Sequence, residues 1–163
     1  MDKRELFRAF EVQLSATVNA TRLAAAAALD AATNPESKAE NQYDTRGLEA
    51  GYLAEAQSRR AAELETLLGM FRTLILAAEL RAFDATAAIA TTALVTVESE
   101  GQMFRYVLLP SGGGLSAIVG GLTVQVVTPQ SPLGQAIAGK RAGDDVEIRV
   151  QGRARAYSIV AVE

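Results

Sequence analysis

The chain has 163 residues, a formal net charge of −3, and no cysteine, histidine or tryptophan. Those absences remove disulfides, thiol nucleophiles, cysteine or histidine metal ligands and any histidine general base, leaving carboxylates, lysine, tyrosine or a borrowed metal for chemistry. The charge offers no global basic footprint, so sequence-specific DNA binding is not expected.

The start, MDKRELFRAFEVQ, is charged on every turn and has no apolar signal region. The longest apolar run, LAAAAAL at 23–29, is too short to span a bilayer. The expectation is a soluble cytoplasmic protein with no membrane role. Acids outnumber bases twelve to nine in residues 1–80 and match them seven to seven in residues 81–163.

The first part, residues 1–80, reads as helix. Leu6, Phe7, Phe10, Leu14 and Val18 recur at three- and four-residue steps and mark one helix face. Strong helix formers continue through Ala32. Pro35 then biases Asn34 away from helix and removes one amide, so the first helix ends there. Pro35 also suits the first position of a second helix, capped by Asn34 or Thr33. That helix runs through Leu48, Tyr52, Ala56, Leu64, Leu67, Leu68, Phe71 and Leu74. Two such helices joined by a short turn make an antiparallel hairpin, roughly 45 Å long at about 1.5 Å per residue. The alanines let the two backbones approach closely.

The second part, residues 81–163, changes period. ALVTVES at 93–99 and MFRYVLLP at 103–110 are β-rich runs separated by Glu100-Gly101-Gln102. A glycine loop follows at 112–114, then a strand at 122–129 and a short helix at 132–139. A terminal hairpin, 145–151 with 154–163, turns at Gly152-Arg153. The expected class is α+β: a coiled-coil hairpin followed by a small antiparallel β domain with one short helix. Residues 78–90 form the junction.

With both parts placed, residues 131–163 closely resemble the end of the bacterial Gre transcript-cleavage factors. The resemblance rests on Ser131, Pro132 and Leu133 before a short helix, then Gly139-Lys140, then Gly143-Asp144-x-Val146 and a closing hairpin. It implies an N-terminal antiparallel coiled coil and an FKBP-like C-terminal domain. Residues 40–41, Glu-Asn, and 49–68 are similar to the second Gre helix, although the spacing between Glu-Asn and the Gly-aromatic pair differs by about one residue. Nothing in the sequence demands pairing with a second copy along the alanine seam, and a monomer is expected. The resemblance further implies that the coiled coil enters the secondary channel of RNA polymerase. There, tip acids share a second magnesium ion with the polymerase's own acids and backtracked RNA is cut by two-metal hydrolysis. Nascent RNA is then met only indirectly. The factor is an accessory and not an enzyme by itself, and the Ser-Pro element grips the rim of the channel.

The tip stretch PESKAEN at 35–41 supports two readings. Gre tips have the form Asp-x-x-Glu-Asn, and here Ser37 stands in the aspartate's place while Glu40 and Asn41 match. Glu36 is one residue earlier and shares a helix face with Glu40 and Asp44. Glu36 and Glu40 are therefore candidate tip carboxylates, Glu40 a candidate magnesium ligand, and Asn41 and Arg46 candidate partner contacts. Alternatively, Ser37-x-x-Glu40 is a capping box, worth about 1 kcal/mol, at the start of a helix. A Gre-like channel regulator without cleavage is the corresponding functional alternative, and Ser37 favours it modestly. Pro132 and Leu133 read equally as an exposed gripping patch or a buried helix start. Arg46, Arg59 and Arg60 suit either RNA or solvent, as Lys140-Arg141 suits a partner acid or solvent. The glycines at 112–114 and 120–121 lack the lysine and hydroxyl of a phosphate loop and read as turns. No aromatic pocket of the kind prolyl isomerases use is visible in the sequence.

Overall fold

The computed structural model describes residues 2–34, 46–76, 82–84, 86–150 and 152–163. Two long helices come first, α1 (Lys3–Thr33) and α2 (Arg46–Leu76), each of 31 residues. α1 stops one residue before Asn34-Pro35, as the proline requires. The expected start of the second helix at Pro35, with its capping box, falls outside the described residues. The chain divides into two compact units, residues 11–70 and residues 1–10 with 71–163.

Within residues 11–70 the buried positions are small. Ala25, Ala28, Ala54 and Ala61 join Leu14, Val18, Leu64 and Leu68. Across this seam the Arg22 Nε donates to the Glu65 carboxylate at 2.5 Å, in a pair that remains well exposed. Exposed pairs of this kind contribute about 0–1 kcal/mol, so burial along the seam does more to hold the helices than the ion pair does.

In the other unit the helix ends are aromatic. Phe7 and Phe10 place their rings 5.8 and 5.4 Å from that of Phe71. Phe7 and Phe71 are fully buried and Phe10 nearly so. The Lys3 ammonium sits 4.5 Å from the centre of the Phe83 ring.

The same unit carries a six-stranded sheet. Its strands are β1 (Leu94–Ser99), β2 (Gln102–Leu108), β3 (Ser116–Val119), β4 (Leu122–Val127), β5 (Asp145–Val150) and β6 (Arg153–Val162), with the short helix α3 (Pro132–Ile137) after β4. The order across the sheet is β3-β4-β2-β1-β6-β5. The α+β class expected from the sequence holds, but the sheet is mixed and not wholly antiparallel. β2 and β4 run parallel, with Tyr106 beside Gln125 and Leu108 beside Val127. The cause is β3, a strand absent from the sequence reading. It folds back on β4 through the two-residue Gly120-Gly121 turn, both glycines at positive φ, and returns β4 to the direction of β2. The terminal hairpin pairs Val150 with Arg153, so its turn falls one residue earlier than the sequence suggested.

One face of the sheet is closed by α3. Val95, Val97, Leu108, Val127, Val146, Ile148, Tyr157, Ile159 and Val162 form a core with Leu133 and Ile137. The opposite face is also dry, with Leu94, Val107, Val124 and Val126 at most 1% exposed. Among the described residues no helix is long and apolar enough to cross a membrane.

Phe71 meets two aromatic rings and has no exposure, so Phe71→Ala should destabilise the fold by about 3–5 kcal/mol. Chemical denaturation of the full chain checks this. A loss below about 1 kcal/mol would show that the ring cluster does not anchor the helix ends.

Candidate functional site

The site begins with one carbonyl. The Thr128 oxygen, just past β4, accepts from the Ser131 amide at 2.9 Å and from the Ser131 hydroxyl at 2.8 Å. The same hydroxyl accepts from the Gly134 amide at 3.1 Å and so caps α3. Pro132 occupies the first turn, where its missing N–H costs nothing. Gly134 lies so close to Thr128 that an added Cβ would stand 1.9 Å from the carbonyl oxygen. Only glycine permits that approach.

The rest of the Gre-like string fixes the far end of α3. The Gly139 amide donates to the Ile89 oxygen and the Ile89 amide to the Lys140 oxygen, both at 2.8 Å. The Asp144 carboxylate accepts from the Arg141 amide at 2.9 Å, and Val146 is buried. The Arg141 Nε donates to the Thr86 carbonyl at 2.9 Å, which accounts for that arginine structurally.

Between α3 and the sheet lies a hollow of about 370 Å³. Tyr106, Val127, Ile148 and Tyr157 line it from the strands, Ser131, Pro132 and Leu133 from α3, and Gly113 and Gly114 from the loop before β3. None of the lining side chains is charged. The structure therefore brings Ser131, Pro132 and Leu133 together, but unequally. Leu133 is 8% exposed and belongs to the core, whereas Pro132 is exposed. The two readings of the helix start are thus divided between neighbouring residues. Arg46 is the first residue of α2. Glu36, Glu40 and Asn41 lie outside the described residues.

Sequence reasoning missed the two tyrosines and Gly134. Tyr106 and Tyr157 sit 51 positions apart, on strands separated by β1, and only the sheet register puts them on one face. Gly134 inside a short helix was the available signal for a close backbone approach. The hollow has two tyrosines among its lining residues.

Burial pushes the Tyr106 phenol above its ordinary value of 10, and the neighbouring Tyr157 adds to the effect while Arg155 opposes it. Arg155 donates to the Tyr157 side chain, which together with Glu100 favours the charged guanidinium. It also stands 3.7 Å from the Glu100 carboxylate.

The described fold is that of a protein with two long N-terminal helices and a C-terminal mixed β domain carrying one short helix. Residues 116–163 match the family model for the C-terminal part of the transcription elongation factors GreA/GreB. The match covers the end of the chain, from β3 through α3 to β6. Several solved structures are similar to it. The GreA factor homolog 1 (Gfh1) protein of Thermus thermophilus shares 18% identity, with 94% of each chain covered and a TM-score of 0.38. Gfh1 of Thermus aquaticus shares 16%, covering 96% of this chain and 95% of that one, at a TM-score of 0.38. The transcription elongation factor GreA/GreB of Nitrosomonas europaea shares 21%, covering 71% and 91%, at a TM-score of 0.37. No curated protein sequence matches the chain.

Two measurements follow. Gly134→Ala should cost several times the roughly 1 kcal/mol expected for Ser131→Ala, because the first displaces backbone and the second removes a cap. Urea denaturation of both variants decides it, and equal losses would contradict the close approach. In an alkaline ultraviolet titration Tyr106 should ionise above pH 10. With its folded value raised, the unfolded chain loses the proton first, so the contribution of this group is whole below pH 10 and is lost as pH rises through the folded value. Tyr106→Phe should flatten that loss.

Proposed function

We propose that the chain is a transcription elongation factor that binds RNA polymerase, with its helical hairpin entering the secondary channel and the hollow beside α3 docking on the channel rim. The single observation that carries this reading is the match of residues 116–163 to the GreA/GreB C-terminal model, over the segment that builds the α3 side of the hollow. Docking suits the chemistry of the hollow. A neutral, aromatic-lined cavity with an exposed proline at its edge gains by burying apolar surface of a partner, and aromatic side chains dominate such contacts.

The factor acts as an accessory to the polymerase, as one copy per enzyme, and touches nascent RNA only through the polymerase site. In this reading Glu40, with Glu36 beside it, supplies carboxylate oxygens at the tip, and Asn41 and Arg46 contact the partner. Magnesium prefers oxygen ligands and retains several waters, so one or two projected carboxylates can complete a site whose remaining ligands are the polymerase's acids. The metal supplies charge stabilisation of the attacking and leaving oxygens during RNA hydrolysis. The task left to this chain is to place those carboxylates and hold them there.

Purified backtracked elongation complexes test this. The chain should stimulate magnesium-dependent shortening of the RNA, and Glu40→Ala should reduce that stimulation at least about tenfold while leaving polymerase binding within about twofold. Binding with no stimulation would assign the chain to channel regulation without cleavage. No binding would remove the polymerase reading altogether.

A further inference from the structure

We infer that the hollow is a composite site for a partner segment carrying an acidic residue next to an apolar one, with Arg155 at its rim receiving the carboxylate. The inference rests on the reading of the hollow as a docking surface, and it names the chemistry of what docks there.

The starting observation is the distribution of charge. From Tyr106 to Gly139 the sequence contains no charged residue. That stretch supplies β3, β4, α3 and most of the lining of the hollow. Recognition inside the cavity is therefore apolar and hydroxylic. A cation neighbours two of its lining residues in the sheet. In the register of the terminal hairpin Arg155 lies opposite Ile148, a lining residue. It precedes Tyr157, another lining residue, by two positions on the same strand, and strand alternation puts both on one face. The guanidinium side chain is 49% exposed, so it remains open to a second group.

Its present acidic neighbour is a weak one. Glu100 sits in the β1–β2 turn at φ 53, and its carboxylate is 75% exposed and 3.7 Å away, beyond a good hydrogen bond. Exposed ion pairs at such distances are weak, so an incoming carboxylate displaces Glu100 at little cost. A planar guanidinium can then accept it in the two-bond arrangement that lysine cannot offer. An apolar side chain filling the cavity and a carboxylate reaching its rim would thus be read together.

Two capped peptides test this against the full chain by nitrogen-proton NMR: acetyl-leucyl-leucyl-glutamate amide and its glutamine counterpart. The glutamate peptide should bind about three- to fivefold more tightly at low salt, a difference that 0.5 M salt erases. It should shift the amides of Tyr106, Arg155 and Tyr157. Arg155→Gln should abolish the preference while leaving the glutamine peptide unchanged, Arg155→Lys should restore part of it, and Glu100→Gln should increase it. Equal binding of the two peptides, or a preference that survives Arg155→Gln in a folded variant, overturns the inference. So does polymerase binding through the hollow that is indifferent to Arg155→Gln. A glutamate preference lost in Arg155→Gln, in a chain that does not bind polymerase, would support the acidic–apolar site and sink only the polymerase reading.

Discussion

The Thr128 carbonyl is the constraint on which the C-terminal domain depends. It receives the Ser131 amide and hydroxyl, and Gly134 is pressed against it closely enough to exclude any side chain. That clasp fixes where α3 leaves the end of β4. The placement of α3 decides that Leu133 and Ile137 enter the core while Pro132 faces outward. It also sets one wall of the hollow, since Ser131, Pro132 and Leu133 line it together. A capping interaction of about 1 kcal/mol thus has a consequence beyond its own energy, because the geometry it imposes is shared by core and site.

The same logic accounts for most of the Gre-like string as structure. Gly139 adopts φ 76 and Gly143 φ 91, conformations that side chains rarely take. Asp144 satisfies the Arg141 amide, and Val146 fills the core. Residues that look like a functional signature are here the means of ending α3 and leading the chain into the edge strand β5. What they leave exposed is a small neutral surface with Pro132 at its edge.

The helices and most of the strands were legible in the sequence because their signals are local. The three- and four-residue recurrence of Leu6 through Val18 defines a helix face, and Asn34-Pro35 ends it at the residue where α1 stops. β3 was not read because its four residues lie between two glycine clusters that look like loop. Gly120-Gly121 between β-branched runs was nevertheless the mark of a two-residue hairpin. Missing that strand led directly to missing the parallel pairing of β2 with β4. Of the site, Ser131, Pro132 and Leu133 were legible through family resemblance. Tyr106 and Tyr157 were not, since their meeting depends on register across three strands, and no short-range pattern encodes it.

The central claim is that the hollow beside α3 docks the chain on RNA polymerase. The most direct measurement is the affinity of the full chain for purified bacterial polymerase, compared with that of a Pro132→Asp variant whose fold is verified by denaturation. The account predicts one-to-one binding, weakened about tenfold or more by a charge set at the edge of a neutral cavity, as expected when a polar group is buried without a partner. Binding unchanged by the substitution, or no binding by the unmodified chain, would contradict it.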